Sequence, residues 1–435
     1  MQFYLRFPEW ALGRCFKCET YKLVACLGDL TVDGFTIKLF ACHPCAWRLE
    51  QFHRALRRRH DMAHDLIAAP FLGSHVVLRP GRLEAIKLPE RRFRELELAS
   101  ARGEACPPWL LEAAKARWGA SLPVRRADEA VLIRRPSLFG HSRGSWELNL
   151  GCNFNCDHCF LGERPFAGLD EAGKHSMLRT LRDAGVLWLQ MTGGEPLIDP
   201  HFAGAARLAH DLGMMIEVKT NGSRLARPEV LDVLASVKPY RVDVSLYGAT
   251  EETYDGFTHT RGAFKRATAG LAAAVAAGVP LRLSLIITAQ TAHEQDRMRG
   301  LADDLGLPYI EYTHMSPTIY GGGETLRSQS PAHLKPLGRF EGCNAGHTFL
   351  HVDPHGRASI CKVARDEQVD LTSEGAQGLA RLGVIADGLM LRTGGCSGCQ
   401  LSANCSVCRP LAKRYQEAKA PLRNYCQHGQ KESAA

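Results

Sequence analysis

Three cysteines, Cys152, Cys156 and Cys159, stand at C-x3-C-x2-C spacing, with Phe160 directly after the last. Thiolates this close in sequence converge on one metal centre, and a strand or turn that carries them must end where that centre sits. No fourth cysteine lies nearby to close the shell, and His158 is the only local nitrogen donor. Three sulfur ligands with one position open suit an iron–sulfur cluster that binds something further. Zinc, completed by His158 or a distant ligand, is the alternative reading, because structural zinc takes closed tetrahedral sets.

The array follows an apolar run at 146–150, and Gly193-Gly194-Glu195-Pro196 follows a second. This pair of features resembles the radical S-adenosylmethionine (SAM) superfamily, whose signature is C-x3-C-x-φ-C with φ aromatic; here φ is His158. The resemblance implies a [4Fe-4S] cluster on Cys152, Cys156 and Cys159, with its unique iron chelated by the amino and carboxylate groups of SAM. It further implies reductive SAM cleavage, hydrogen abstraction from a substrate by the 5′-deoxyadenosyl radical, and a one-electron donor such as flavodoxin or ferredoxin.

The chain has 16 cysteines, and 45% of its residues are hydrophobic, enough for sizeable cores. No positively charged, apolar signal segment opens it, and the most apolar stretch, 271–281, is too short to span a bilayer, so a cytoplasmic protein without membrane contact is expected. In that setting clustered cysteines read as metal ligands rather than disulfides. Only Cys26 and Cys106 fall outside such clusters and read as buried thiols. The basic excess is N-terminal: residues 1–140 hold 23 Lys and Arg against 15 Asp and Glu. It favours an acidic partner such as a leader peptide, or is a solvated face; nucleic acid is the less favoured partner.

An α/β chain of four regions is expected. Residues 1–72 carry Cys15-x2-Cys18 and Cys42-x2-Cys45 around a hairpin pattern turning at Asp33-Gly34, with a helical pattern over 46–66. This resembles a treble-clef zinc module, a closed four-cysteine set for Zn2+. Residues 73–140 alternate strand-like and helical segments and form a small α+β module, either a winged-helix, peptide-docking element or an inert linker. From 141 to 325 strand and helix alternate six times, with strands at 146–150, 187–192, 215–220, 242–246, 281–288 and 310–315. Six such units resemble the partial (β/α)6 TIM-like barrel of the superfamily, with chemistry at the C-terminal strand ends.

The family motif places SAM contacts at those ends. Gly193 and Gly194 permit close backbone approach, and Glu195 is expected to accept hydrogen bonds from the SAM ammonium. Ser245 is expected near the SAM carboxylate, and Arg261 is a further carboxylate candidate.

Residues 326–435 bring Cys343-x12-Gly356-x4-Cys361, then Cys396-x2-Cys399-x5-Cys405-x2-Cys408 and Cys426, after a Gly-rich connection at 321–323. The order resembles the SPASM domain, which carries two auxiliary [4Fe-4S] clusters. By that resemblance Cys396, Cys399, Cys405 and Cys426 hold the distal cluster, and Cys343, Cys361 and Cys408 the nearer one, giving three clusters in all. The x2 spacing before Cys408 departs from the usual x3. Phe349 occupies the position of the nearer cluster's fourth cysteine, leaving His347, His351 or Asp353 as substitutes, or an open site. Zinc is the alternative for these sites as well.

An auxiliary cluster can take the electron that a substrate radical must lose. The expected function is therefore maturation of a ribosomally made peptide, recognised through a leader segment, by a crosslink or related oxidative change. Anaerobic sulfatase-maturating enzymes, which form formylglycine, share the architecture. In them an aspartate follows the second SPASM cysteine as a base, whereas here that residue is Lys362, so they are the second reading. A reading of another class is a zinc-containing nucleic-acid-binding or scaffold protein.

Overall fold

The computed structural model describes the backbone at 11–14, 21–32 and 35–42, and whole residues at 64–119, 126–162, 164–319, 325–335, 340–389, 399–401 and 407–426. The chain divides into two compact units, Met1–His64 and Asp65–Ala435.

In the first unit β1 (Ala11–Arg14), β2 (Tyr21–Val32) and β3 (Phe35–Cys42) form an antiparallel sheet in sequence order. β2 and β3 make the hairpin expected around 33–34, with a register shift between Cys26 and Gly28 that bends the longer strand. Cys42 ends β3; Cys15, Cys18, Cys45 and residues 46–63 of the expected helix lie outside the described residues, and the end of that expectation is corrected, since Leu66 belongs to a strand.

The second unit opens with β4 (Leu66–Phe71), β5 (Ser74–Leu78), β6 (Ile86–Leu88) and β7 (Val131–Ile133), in sheet order β6-β5-β4-β7. Ending the first module at 72 is thus corrected: β4 finds its hydrogen-bond partners in β5 and β7. One face of this sheet buries Leu66, Ala68 and Val77 against Leu96 and Leu110 of helices Glu90–Arg102 and Pro108–Trp118. The other packs Ile67, Val76 and Leu78 on Leu187, Trp188 and Met215. Buried Arg134 fastens the module by donating to the carbonyls of Val186, Gly213 and Arg182 at 2.9–3.0 Å.

The main sheet holds β8 (Arg143–Glu147), β9 (Trp188–Thr192), β10 (Met215–Thr220), β11 (Arg241–Leu246), β12 (Leu281–Ile286) and β13 (Tyr309–Tyr312), parallel and adjacent in sequence order. Helices Glu171–Asp183, Phe202–Asp211, Pro228–Val237, Ala263–Ala276 and Gln295–Asp304 connect them, in the expected alternation of strand and helix. Local chemistry sets these bounds: Asp170 caps its helix by accepting from Gly173 N at 2.8 Å, and Pro228 takes a first-turn position where no donor is needed. Helix Glu251–Thr258 was not expected; Thr250 caps it.

Strands of a parallel sheet covered on both faces read as continuous apolar runs. These alternate instead. Leu189, Met191, Ile216, Val218, Val242, Val244, Leu283 and Leu285 bury in the helix-covered core. The residues between them form polar rows across the ladder, Ser145–Gln190–Glu217–Arg241 and Lys219–Asp243–Arg282.

The sheet does not stop at β8. β14 (Phe349–Val352) pairs parallel to it, matching Phe349 with Arg143 and His351 with Ser145, and β15 (Arg357–Ser359) and β16 (Val369–Asp370) extend it antiparallel. A boundary near 326 therefore separates sequence patterns but not sheets. Gly321–Gly323 and much of the C-terminal array, including Cys396 and Cys405, lie outside the described residues.

Candidate functional site

Cys152, Cys156 and Cys159 lie on the loop that leaves β8, and they wall one cavity of about 200 Å³. Gly193 and Gly194 after β9, Thr220 and Asn221 at the end of β10, and Ser245 in β11 wall it too, so the expected strand ends meet there. Arg261 does not: its side chain is exposed, and its carbonyl accepts from Arg266 at 3.1 Å.

The glycine pair is needed where two chains touch. A Cβ at Gly193, where φ is 144°, would lie 2.4 Å from the Asn149 carbonyl oxygen, and one at Gly194 would lie 2.1 Å from that of Gly151. Gly194 N donates to Asn149 O at 3.0 Å and Glu195 N to Gly151 O at 2.9 Å, which pins this loop to the entry of the cysteine loop.

The expectation for Glu195 needs correction. Its side chain is wholly buried and its carboxylate accepts from Leu197 N at 2.9 Å, Thr220 Oγ1 at 2.7 Å and Asn221 N at 2.7 Å. Burial pushes its carboxyl up to about 7, against these three donors. The carboxylate is a brace between two strand ends.

The thiols sit in a dry place. Burial first, and Glu195 next, push Cys152 up to about 11; burial and the two neighbouring thiols push Cys156 well above the ordinary thiol value. Phe154 N at 3.4 Å and Asn221 Nδ2 at 3.8 Å are directed at Cys152 Sγ. Cys156 is buried and Cys152 partly so; thiols raised in this way ionise most readily beside a cationic centre, and the donors at Cys152 favour sulfur that carries charge. Among the described residues no three His, Cys, Asp or Glu side chains stand close enough to share a single metal ion. A cubane, whose irons occupy separate corners, takes thiolates standing further apart. His158 does not complete a zinc set: its ring packs against Tyr247 and Phe257, with centroids at 5.3 and 5.2 Å, and its buried Nδ1 has no hydrogen-bond partner. Burial pushes it down to about 4, so it serves as a neutral aromatic ring.

The polar rows under the loop were not anticipated. Glu147 is gripped by Arg365 at 2.7 and 3.0 Å, and His351 Nε2 lies 3.5 Å away. Burial would raise Glu147, but His351 and Arg365 outweigh it and hold the carboxyl at about 2; burial pushes His351 itself down to about 4. Asp243 binds Lys219 and Arg282, each at 2.5 Å, and Glu217 binds Arg241 at 2.8 Å. Lys362 reaches the same cavity and donates to Gln190 Oε1 at 2.7 Å. The available signal was the alternation Glu217-x-Lys219, Arg241-x-Asp243-x-Ser245 and Arg282-x-Ser284 in strands that otherwise read as buried.

In the C-terminal region Cys361 and Cys408 are raised first by burial, and each also by nearby cysteines, Cys343 among them, so these three sulfurs are neighbours. Cys399 is exposed and Cys426 half-buried. The proposed substitutes for a fourth ligand have other work. His347 Nε2 meets Asp387 at 2.8 Å, His351 faces Glu147, and Asp353 Oδ1 accepts from His355 N and Arg357 N at 2.9 Å in the turn before β15. Cys106 is a buried free thiol, as expected.

Residues 146–302 match the family model described as Radical SAM superfamily. The chain is 34% identical over 198 residues to the AdoMet-dependent heme synthase of Methanosarcina barkeri, covering 44% of this chain and 55% of that protein. It is 30% identical over 257 residues to the mycofactocin maturase MftC of Mycobacterium tuberculosis, covering 51% and 64%. The chain thus spans less than two thirds of the length of these relatives. The crystal structure of Streptococcus suis SuiB bound to precursor peptide SuiA aligns with a TM-score of 0.52 at 15% identity, covering 78% of this chain and 92% of that one, and so shares its fold. No described helix is long and apolar enough to cross a membrane.

Proposed function

We propose that residues 146–302, which match the radical SAM family model, form a radical SAM domain, and that the chain is an oxidoreductase that matures a ribosomally made peptide by radical chemistry. The observation that carries this reading is the cavity walled together by Cys152, Cys156, Cys159 and the Gly193-Gly194 loop. Those three cysteines would hold a [4Fe-4S] cluster, which supplies the electron that cleaves SAM to a hydrogen-abstracting 5′-deoxyadenosyl radical. The Gly193–Glu195 main chain would seat the SAM ammonium, and Ser245 would lie beside its carboxylate. Tyr247, His158 and Phe257 exclude water from the cysteine side by close ring packing.

The names of MftC, a maturase, and SuiB, crystallised with its precursor peptide, support a peptide substrate. Cys343, Cys361 and Cys408 would hold a nearer auxiliary cluster, and Cys396, Cys399, Cys405 and Cys426 a distal one, in a SPASM domain. Cys15, Cys18, Cys42 and Cys45 would bind Zn2+, with 1–140 docking the peptide leader. Lys362, a cation at the cavity, is no carboxylate base and speaks against formylglycine formation.

Anaerobically reconstituted protein should bind close to three clusters and one zinc by metal analysis. With SAM and a strong reductant it should release 5′-deoxyadenosine, and a substrate peptide should lose two hydrogens by mass spectrometry. Release that persists in a Cys152→Ala, Cys156→Ala, Cys159→Ala triple variant would overturn the radical assignment.

A further inference from the structure

Four charged side chains line the cavity, Glu147, Arg164, Lys219 and Lys362. Lys219, Arg241 and Arg282 share Asp243 and Glu217, while Arg365 is matched by Glu147. Lys362 stands outside both sets. Its ammonium donates to the neutral amide oxygen of Gln190 at 2.7 Å, and among the described residues no carboxylate lies within 4 Å of its Nζ. Gln190 is itself held from both sides, accepting from Ser145 Oγ at 3.3 Å and donating to Glu217 at 3.1 Å, so it fixes the ammonium without neutralising it. An ammonium has three donors, and a half-buried one with an amide as its partner is poorly compensated.

We propose that Lys362, with Lys219 walling the same cavity, is a specificity-determining anchor for a carboxylate of the substrate, either an acidic side chain or the chain-terminal group of a peptide. The anchor rests on the reading of this cavity as the substrate site. The carboxylate chemistry itself does not depend on the substrate being a peptide. Lys362 is a positioning residue here: it orients the bound group below the cysteine loop and makes no bond to a reacting atom.

Two probes separate the anchor from the peptide reading. Glutarate and its neutral counterpart glutaramide are titrated calorimetrically into reconstituted full-length enzyme and into its K362Q and K362R variants, with iron content checking that each variant is intact. Wild type should prefer glutarate by roughly tenfold or more, the effect of one hydrogen bond to a charged group. K362Q should lose that preference, and K362R should keep part of it. Absent glutarate binding, or a preference unchanged in K362Q, overturns the anchor. So does a K362Q defect confined to SAM binding, which would assign the lysine to SAM's own carboxylate. A pool of N-acetylated hexapeptides, paired as Glu or Gln and as free or amidated termini, then identifies which carboxylate is retained. If glutarate passes and no hexapeptide is retained, the anchor stands and the peptide reading falls.

Discussion

Arg365 and Glu147 meet as a dry, two-pronged ion pair, at 3.0 and 2.7 Å, with 4% and 1% of their side chains exposed. The pair ties the segment after Cys361 to the first strand of the main sheet, next to the cysteine loop. Replacing Arg365 by Met strands a buried carboxylate, and breaking such a pair costs about 3–5 kcal/mol. Urea unfolding of R365M should show that loss, and adding Glu147→Gln should recover a large part of it.

Gly194 is held in place by the backbone it faces. The Gly194→Ala methyl would meet the Gly151 carbonyl oxygen at 2.1 Å, where nothing flexible can yield. Overpacking of this kind costs about 1–3 kcal/mol. The displaced segment carries Cys152, so G194A should also lower the iron bound per chain after reconstitution, while a control at a glycine with open space around it, Gly300→Ala, should leave it unchanged.

A His158→Phe variant distinguishes cluster from zinc at the first site. The ring packing on Tyr247 and Phe257 survives in phenylalanine, and the unpartnered Nδ1 is removed. Iron content and 5′-deoxyadenosine release should stay near wild type. Loss of bound metal would instead make the imidazole a ligand.

Glu311 governs a pH response outside the site. Arg299 at 2.6 Å, with Lys335 and Gln295 at 3.0 Å, holds its carboxyl at about 2, below the ordinary 4.5. A lowered carboxyl stabilises the fold above its unfolded value, and the contribution disappears as pH falls from about 4.5 toward 2. With Arg299 and Lys335 partly exposed, the contribution is on the order of 1–2 kcal/mol. Unfolding of wild type and E311Q should differ by that much at pH 6, and the difference should shrink steadily below about pH 4.5 and vanish only below pH 2.

The alternation of strand and helix from β8 to β13 was readable because apolar runs, caps and turn glycines agreed with one another. So was the meeting of Cys152–Cys159 with Gly193-Gly194, since both follow strands of one parallel sheet. Glu195 was misjudged because spacing does not tell which way a carboxylate points: Thr220 and Asn221, from the next strand, claim it. Lys362 and Arg365 were invisible as floor residues because they arrive from more than 140 residues beyond Lys219 along the chain. The pairing of β14 with β8 was equally hidden, as parallel neighbours leave no local signature in either segment.

That pairing has a mechanical meaning. A peptide-bonded tether would let the region bearing Cys343 and Cys361 drift relative to the cysteine loop, whereas a hydrogen-bonded ladder from β8 to β14 fixes their separation as firmly as the pitch of a sheet. Any electron passed between the two groups would cross a gap of constant width, and adaptation to new substrates would have to reshape loops rather than swing domains.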